Sequence, residues 1–520
     1  MTAALSIQSG VLIGEHPAVT EILTPDTQAF LAALHRRFEP DRLQLIADRT
    51  ERQRAIDAGA RPCFAAETAH IRSGDWHIAP APADLRDRRT ELTGPVRREA
   101  LSAALQSGAS VVMADLEDTT APTWANCLEG QRNLRDAYAG TLVADPATMV
   151  VRTRGWHLVE RHMEVDESPI AAALFDFGTC VFHNAQAALA SGTGPYFYLP
   201  KVEGAADARL WRDVFIWAED TLELPRGTIR ATVLIETILA AFEMDEILFE
   251  MRDHITGLHT GNWDYLFSMA KTFRHDSNFV LPDRSDLSAT TPFIRAFTEL
   301  LISVCHRRGA HAIGGMSGVV PDTVDPTRTA PGVRSVSVDK RREAGDGFDG
   351  TRIAHPALVT VAETEFDRVL SYRPNQIEFQ RDDVYVTAGD LLAVASTRGQ
   401  YTEAGLRRSV RIALHYLGKW LAGNGAVIID DHVEDAAMAE LCRTQMWQWR
   451  HHRVVLTNGM TVDETVLERT LDEELDLLHE QLGPDRWADG RFVEAHRVLS
   501  EISLADDLCD FLTVAADPLL

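Results

Sequence analysis

IRATVLIETILAAFEMDEILFEMRDHITGLHTGNWD, residues 229–264, places two short β-rich runs on either side of one helical repeat. The runs IRATVLIE (229–236) and ITGLHTG (255–261) read as strands. Between them ILAAFEMDEILFEMRD (238–253) carries apolar residues three and four apart, the spacing of one helix face. A strand, a helix and a second strand in that order predict a parallel pair joined by a crossover. The first strand closes on Glu236, and Asp264 follows shortly after the second.

The same unit recurs on both sides. Further β-rich runs are SVVMAD (110–115), TMVVRTR (148–154), PYFYLPK (195–201), AHAIGGM (310–316) and TRIAH (351–355). Helical patterns such as ARLWRDVFIWAED (208–220) and TPFIRAFTELLISVCHRR (291–308) lie between them. Seven or more such units predict a closed α/β structure, a (β/α)8 barrel, over an open sheet. An open doubly wound sheet would carry a glycine-rich loop after its first strand, and none is present. The expected division is a helical N-terminal segment over 1–95, a barrel over 96–375 and a helical domain over 376–520. The N-terminal segment is read as ending in a charge-rich loop, ADLRDRRTELTGP (83–95). The last unit rests on helical runs at 407–423, 434–452 and 464–483.

Composition narrows the function. With 51 basic and 77 acidic residues the formal charge is −26, which argues against binding a phosphate backbone and so against nucleic-acid partners. Six cysteines, at 63, 127, 180, 305, 442 and 509, form no CxxC pair and read as reduced thiols. The opening MTAALSIQSGVLIGEH lacks the basic start and apolar core of a signal peptide, and the terminal DPLL is no peroxisomal address. The longest apolar stretch, near 233–242, is interrupted by Glu236, so no membrane span is expected and the compartment is read as cytoplasmic.

Charges gather where strands end. Asp115, Glu117 and Asp118 follow one run, Arg152 and Arg154 close the next, and Lys201 and Glu236 close two more. In a barrel all carboxyl ends meet at one face, so these residues are expected to line one pocket. Any single one could be a solvated strand end; five strand ends behaving alike is harder to dismiss. Glu236 and Asp264, with no His or Cys at ligand spacing, suit Mg²⁺, which prefers oxygen and keeps waters. The bland alternative pairs one of these carboxylates with Arg152 or Arg154. Consecutive N–H groups in GNWDY (261–265) could hold a substrate carboxylate. His157, His162, His254 and His259 match no HExxH spacing and read as core or surface histidines. Trp124, Trp156 and Trp263 read as packing residues, and WQWRHH (447–452) as a helix face.

The stretches 231–254 and 257–268 closely resemble the central signature of the A-type malate synthases. The likeness continues in 71–95, VVMADLEDTTAPTW (111–124), RTRGWHL (152–158) and GPYFYLPKVEG (194–204). It extends through GAHAIGGM (309–316), GFDGTRIAHPAL (347–358), GNGAVIIDDHVEDAAMAE (423–440) and QMWQW (445–449). The resemblance implies a TIM barrel whose mouth is plugged by the C-terminal helical domain. It implies condensation of acetyl-CoA with glyoxylate, then hydrolysis of malyl-CoA to malate, with Mg²⁺ held by Glu236 and Asp264. Arg152 then stabilises the enolate and Asp435 is the general base. Backbone amides at Trp263 and Asp264 then hold the glyoxylate carboxylate, and Gly261, Asn262, Asp118, Thr119, Arg154 and Pro356 are expected beside the substrates. Without the resemblance Asp435 would read as a helix N-terminal charge. His259, Asn262 and Arg352 depart from the family's usual Asn, Arg and Trp, which alters the expected shape of the substrate pockets. The competing readings are an acyl-CoA lyase with a shorter chain and no helical domain carrying VED, and a non-catalytic relative.

Overall fold

The computed structural model describes residues 10–144, 146–322 and 324–520. Most of the opening stretch read for targeting, residues 1–9, lies outside them. Eight parallel strands close into a barrel in chain order. They are β1 (Thr90–Pro95), β2 (Val111–Asp115), β3 (Thr148–Arg152), β4 (Tyr196–Leu199), β5 (Arg230–Ile235), β6 (Ile255–Thr260), β7 (His311–Ser317) and β8 (Gly350–Ile353). Seven are the runs read from the sequence. The eighth, β1, is TELTGP, which sequence reasoning took for the end of a charge-rich loop. Its Glu91 and its neighbour Arg88 are fully buried and bonded to each other at 2.7 Å, so charges that mimic a surface loop are paired inside the barrel. The barrel therefore opens before residue 96.

β5 is buried along its whole length, as expected of a strand with the barrel interior on one face and helices on the other. Val111, Met113, Val150, Tyr196, Tyr198 and Leu234 form a separate apolar cluster. They lie two apart on their strands, the period that sends alternate side chains inward. Continuing the series of β2, β3 and β5 by two residues reaches Asp115, Arg152 and Glu236 at the carboxyl ends, whereas that of β4 reaches Pro200, one residue before Lys201. The alternation thus fixes which charges face the mouth.

The N-terminal segment is dominated by the helix Pro25–Asp57, which packs on the barrel helices Ala172–Ala190 and Ala205–Thr221. A three-stranded antiparallel sheet of Val11–Ile13, Val159–Val165 and Ser168–Ala171 is not marked in the sequence, because its strands are short and the first lies far from the other two in the chain. At the other end, helices Glu403–Trp420, Ala436–His451 and Glu464–Ala488 match the helical runs. The last breaks where its reading stopped, at Gly483 (φ 67°), followed by Pro484. Helix Ala436–His451 packs along the barrel helix Asn262–Thr272. That contact carries the start of a C-terminal helix onto the barrel mouth. Among the described residues no helix is long and apolar enough to cross a membrane.

Candidate active site at the barrel mouth

Asp115 organises one side of the mouth. The chain after β2 folds back so that the N–H groups of Glu117, Asp118 and Thr119 donate to its carboxylate at 2.9, 3.3 and 2.9 Å. The same carboxylate takes Arg152 in a bidentate pair, Nε to Oδ1 at 2.7 Å and Nη2 to Oδ2 at 2.6 Å. Arg152 Nη1 lies 2.7 Å from Asp118 Oδ2. A fork held at three points keeps its direction, and hydrogens of Nη1 and Nη2 stay uncommitted. Arg154, two residues on, is spent elsewhere: Asp176 takes its Nε and Nη2 at 3.0 and 2.9 Å, and Glu160 takes Nη1 at 2.9 Å. Its guanidinium anchors the turn after β3, although Arg154 also borders a cavity with His157 and Phe511.

Neither arginine neutralises Glu236 or Asp264. Both acids face Lys201, whose Nζ is 2.8 Å from Asp264 and 3.6 Å from Glu236, with Asp118 at 3.5 Å and Glu117 at 3.9 Å. Burial works against the ammonium, but the four carboxylates outweigh it and raise the Lys201 pKa well above its usual value. Burial pushes Asp264 and Glu117 well above the usual carboxylate range, with neighbouring acids adding to it and Lys201 opposing. Gly261 lets the acids approach: a Cβ there would lie 2.4 Å from the Glu236 Cβ. The two carboxylates read from neighbouring strands therefore converge on one point.

Asp435 arrives from the C-terminal domain. It is the N-cap of Ala436–His451, accepting from the Met438 N–H at 3.3 Å. The Ala436 N–H and the Tyr416 hydroxyl both donate to the Asp118 carbonyl at 3.2 Å, tying this helix start to the loop after β2. Asp435 is 4% exposed. Burial first, then the nearby Asp118 charge, raises its carboxyl to about 7, against the pull of Arg152. A carboxylate that holds a proton until neutrality is suited to proton transfer.

Trp263 and Asn262 open helix Asn262–Thr272, so their N–H groups and that of Asp264 have no acceptor within the helix, and all three residues line the cavity around Glu236. Trp263 is only half-buried, with Arg284 5.2 Å from its ring centre. Pro356 is exposed at the start of the turn after β8, outside the cavity around Glu236 and Asp264. His157, read as a core or surface histidine, is half-buried beside this region and stacks on Phe511 at 3.9 Å. Nothing local in GWHLVERH signals that partner, which comes from the far end of the chain.

The fit to a divalent cation can be judged from the donors. Among the described residues no group of three His, Cys, Asp or Glu side chains has metal-holding geometry. The convergent donors are all carboxylate oxygens, and Asp264 Oδ1 and Glu117 Oε2 are buried without a hydrogen-bond partner. Glu236 Oε1 accepts from the Lys201 N–H at 2.6 Å, so the uncommitted oxygens beside it are those of Asp264 and Glu117, and this all-oxygen set fits a hard ion that retains water ligands. They do not fit a soft metal.

Family models match three successive parts of the chain: malate synthase N-terminal domain over 11–70, malate synthase TIM barrel domain over 148–394 and malate synthase C-terminal over 400–520. The chain belongs to the malate synthase family. It is 49% identical to a malate synthase of Streptomyces clavuligerus over 518 residues, 96% of each chain. It is 45% identical to malate synthase A of Escherichia coli strain K12 over 513 residues, again 96% of each. The solved malate synthase of Haloferax volcanii, a pyruvate and acetyl-CoA ternary complex, has a TM-score of 0.50 at 17% identity. It covers 79% of this chain and 98% of its own and shares the family fold.

Proposed function

We propose that the chain condenses acetyl-CoA with glyoxylate and hydrolyses the resulting thioester to malate and CoA. The observation that carries this is the meeting of Asp435, from the C-terminal domain, with Arg152 and the Glu236–Asp264 pair at one barrel mouth. Glu236 and Asp264 would hold Mg²⁺, which when bound supplies a Lewis acid for the glyoxylate carbonyl. Asp435 takes a proton from the acetyl-CoA methyl group. Arg152, already aimed by Asp115, offers its free N–H groups to the enolate oxygen, so no reorientation is needed as charge develops. The N–H groups that open helix Asn262–Thr272 hold the glyoxylate carboxylate. Water then cleaves malyl-CoA. Setting the base on one domain and the acids on another lets closure of the mouth shield the enolate from water.

Six cysteines without a disulfide among the described residues support a reducing, cytoplasmic location. The test is release of CoA thiol from acetyl-CoA, with and without glyoxylate and Mg²⁺, and with malate assayed enzymatically. Glyoxylate-dependent thiol release matched by malate is expected. A lyase that stops at malyl-CoA would release no thiol, and that outcome would overturn the proposal.

A further inference from the structure

One strand period below the acids, the barrel interior holds a polar floor that the reaction above leaves unused. Thr93 of β1, His259 of β6 and Arg352 of β8 line the same cavity as Arg152, Glu236, Asp264 and Asp435. Arg352 is 3% exposed, and its Nε and Nη2 have no hydrogen-bond partner. Its nearest acid is Glu91, 3.7 Å from Nη2, but the oxygens of Glu91 already serve Arg88 at 2.7 Å and the Tyr198 hydroxyl at 2.6 Å. The guanidinium lies 4.4 Å from the Tyr198 ring centre. His259 is 1% exposed with both ring nitrogens unpartnered, and the Thr93 hydroxyl is likewise buried and unpartnered.

A cation buried without a hydrogen-bonded acid is unfavourable unless a counter-group arrives. The other cation on this cavity, Arg152, has Asp115 and Asp118. Arg352 alone among the described cations on this cavity lacks such a bond. A guanidinium fork, an imidazole and a hydroxyl converging on one space match a carboxylate. The N–H groups that open helix Asn262–Thr272 are taken by the glyoxylate carboxylate in the reaction proposed above, which leaves the floor for a second one.

We propose that Arg352, His259 and Thr93 form a second carboxylate subsite, and that this chain takes 2-oxo dicarboxylates as well as glyoxylate. The extra carboxylate would stand where glyoxylate carries its aldehyde hydrogen. This rests on the condensation proposed above, which fixes the carbonyl between the acids and the floor. The methyl proton goes to Asp435, the new C–C bond forms at the keto carbon, and the carbonyl oxygen takes up a proton to become a tertiary hydroxyl. Water then adds to the thioester, its oxygen entering the new carboxylate and CoA leaving as the thiol. No oxidant or reductant is required.

The experiment compares glyoxylate with oxomalonate, the smallest 2-oxo dicarboxylate, in the full chain and in Arg352→Gln and Arg352→Lys. Thiol release with oxomalonate is expected in the unmutated chain. The ratio of kcat/KM for oxomalonate to that for glyoxylate should fall roughly 10–100-fold in Arg352→Gln, the loss of one charged hydrogen-bond set, and less in Arg352→Lys. A readout independent of turnover is the thermal stabilisation of the Mg²⁺-loaded chain by oxomalonate without acetyl-CoA, expected to disappear in Arg352→Gln. Turnover of glyoxylate with neither turnover of nor stabilisation by oxomalonate would mean a water-filled floor and overturn the inference while leaving the proposed function standing. An unchanged specificity ratio in both variants would overturn it too. Failure of glyoxylate to release thiol, with Arg352-dependent stabilisation by oxomalonate retained, would sink the proposed reaction and keep the subsite.

Discussion

Replacing Asp435 by Asn separates chemistry from architecture at one atom. Asn caps a helix about as well as Asp, so the Met438 bond and the helix start should survive. The proton acceptor is lost, which lowers the condensation rate by ~10²–10⁴-fold. Stability should move the other way. The folded carboxyl is raised to about 7 from an ordinary 3.8, so between these values the native state binds a proton that the unfolded state has released. Stability is therefore lost as pH rises through that window and stays low above it. At 1.36 kcal/mol per pH unit the full penalty is roughly 4 kcal/mol. Asp118 and Arg152 share the cluster and take up part of the change, so the single substitution should recover on the order of 2–4 kcal/mol. Melting curves in EDTA should show the unmutated chain and the Asp435→Asn variant alike near about pH 4 and the variant increasingly more stable up to about pH 7, with a constant gap beyond. In the unmutated chain kcat/KM should rise as pH passes about 7, and that limb should vanish in the variant. Near-normal condensation in Asp435→Asn, or a stability gap that does not depend on pH, would refute the reasoning.

Three further outcomes follow from the same geometry. Glu236→Gln and Asp264→Asn should each raise the Mg²⁺ concentration needed for half-maximal activity by at least ~10-fold, and EDTA should abolish activity in the unmutated chain; titration of activity against Mg²⁺ checks both. Gly261→Ala should place a methyl against Glu236 and lower activity more than stability, the latter by about 1–3 kcal/mol, measured by kinetics beside chemical denaturation. Arg154→Met should leave Asp176 and Glu160 buried without their cation and cost about 3–5 kcal/mol, read as a lowered melting point; an unaltered melting point would remove Arg154 from its anchoring role.

The two carboxylates were legible because parallel strands buried on both faces leave a periodic signal, and because charge at such a strand's end has one face to go to. That logic located Asp115, Arg152, Lys201 and Glu236 from local pattern alone. It missed β1, whose Glu91 and the Arg88 just before it look like surface charge until the barrel closes around them. It could not weigh Arg152 against Arg154, since only the positions of Asp176 and Glu160 reveal which guanidinium is already committed. Asp435 was reachable through family resemblance and not through its neighbours in sequence, where an acid opening a helix is ordinary. Its raised pKa exists only once the helix start is docked on the loop after β2.

Periodicity and strand-end charge, both short-range properties of the chain, thus determined the barrel and its acidic mouth. The place of Asp435 at the mouth, the committed Arg154 and the absence of a hydrogen-bonded acid at Arg352 were decided by tertiary structure. Burial and pairing are long-range quantities: they depend on which distant segments remove water from a side chain, and no local window of sequence contains that.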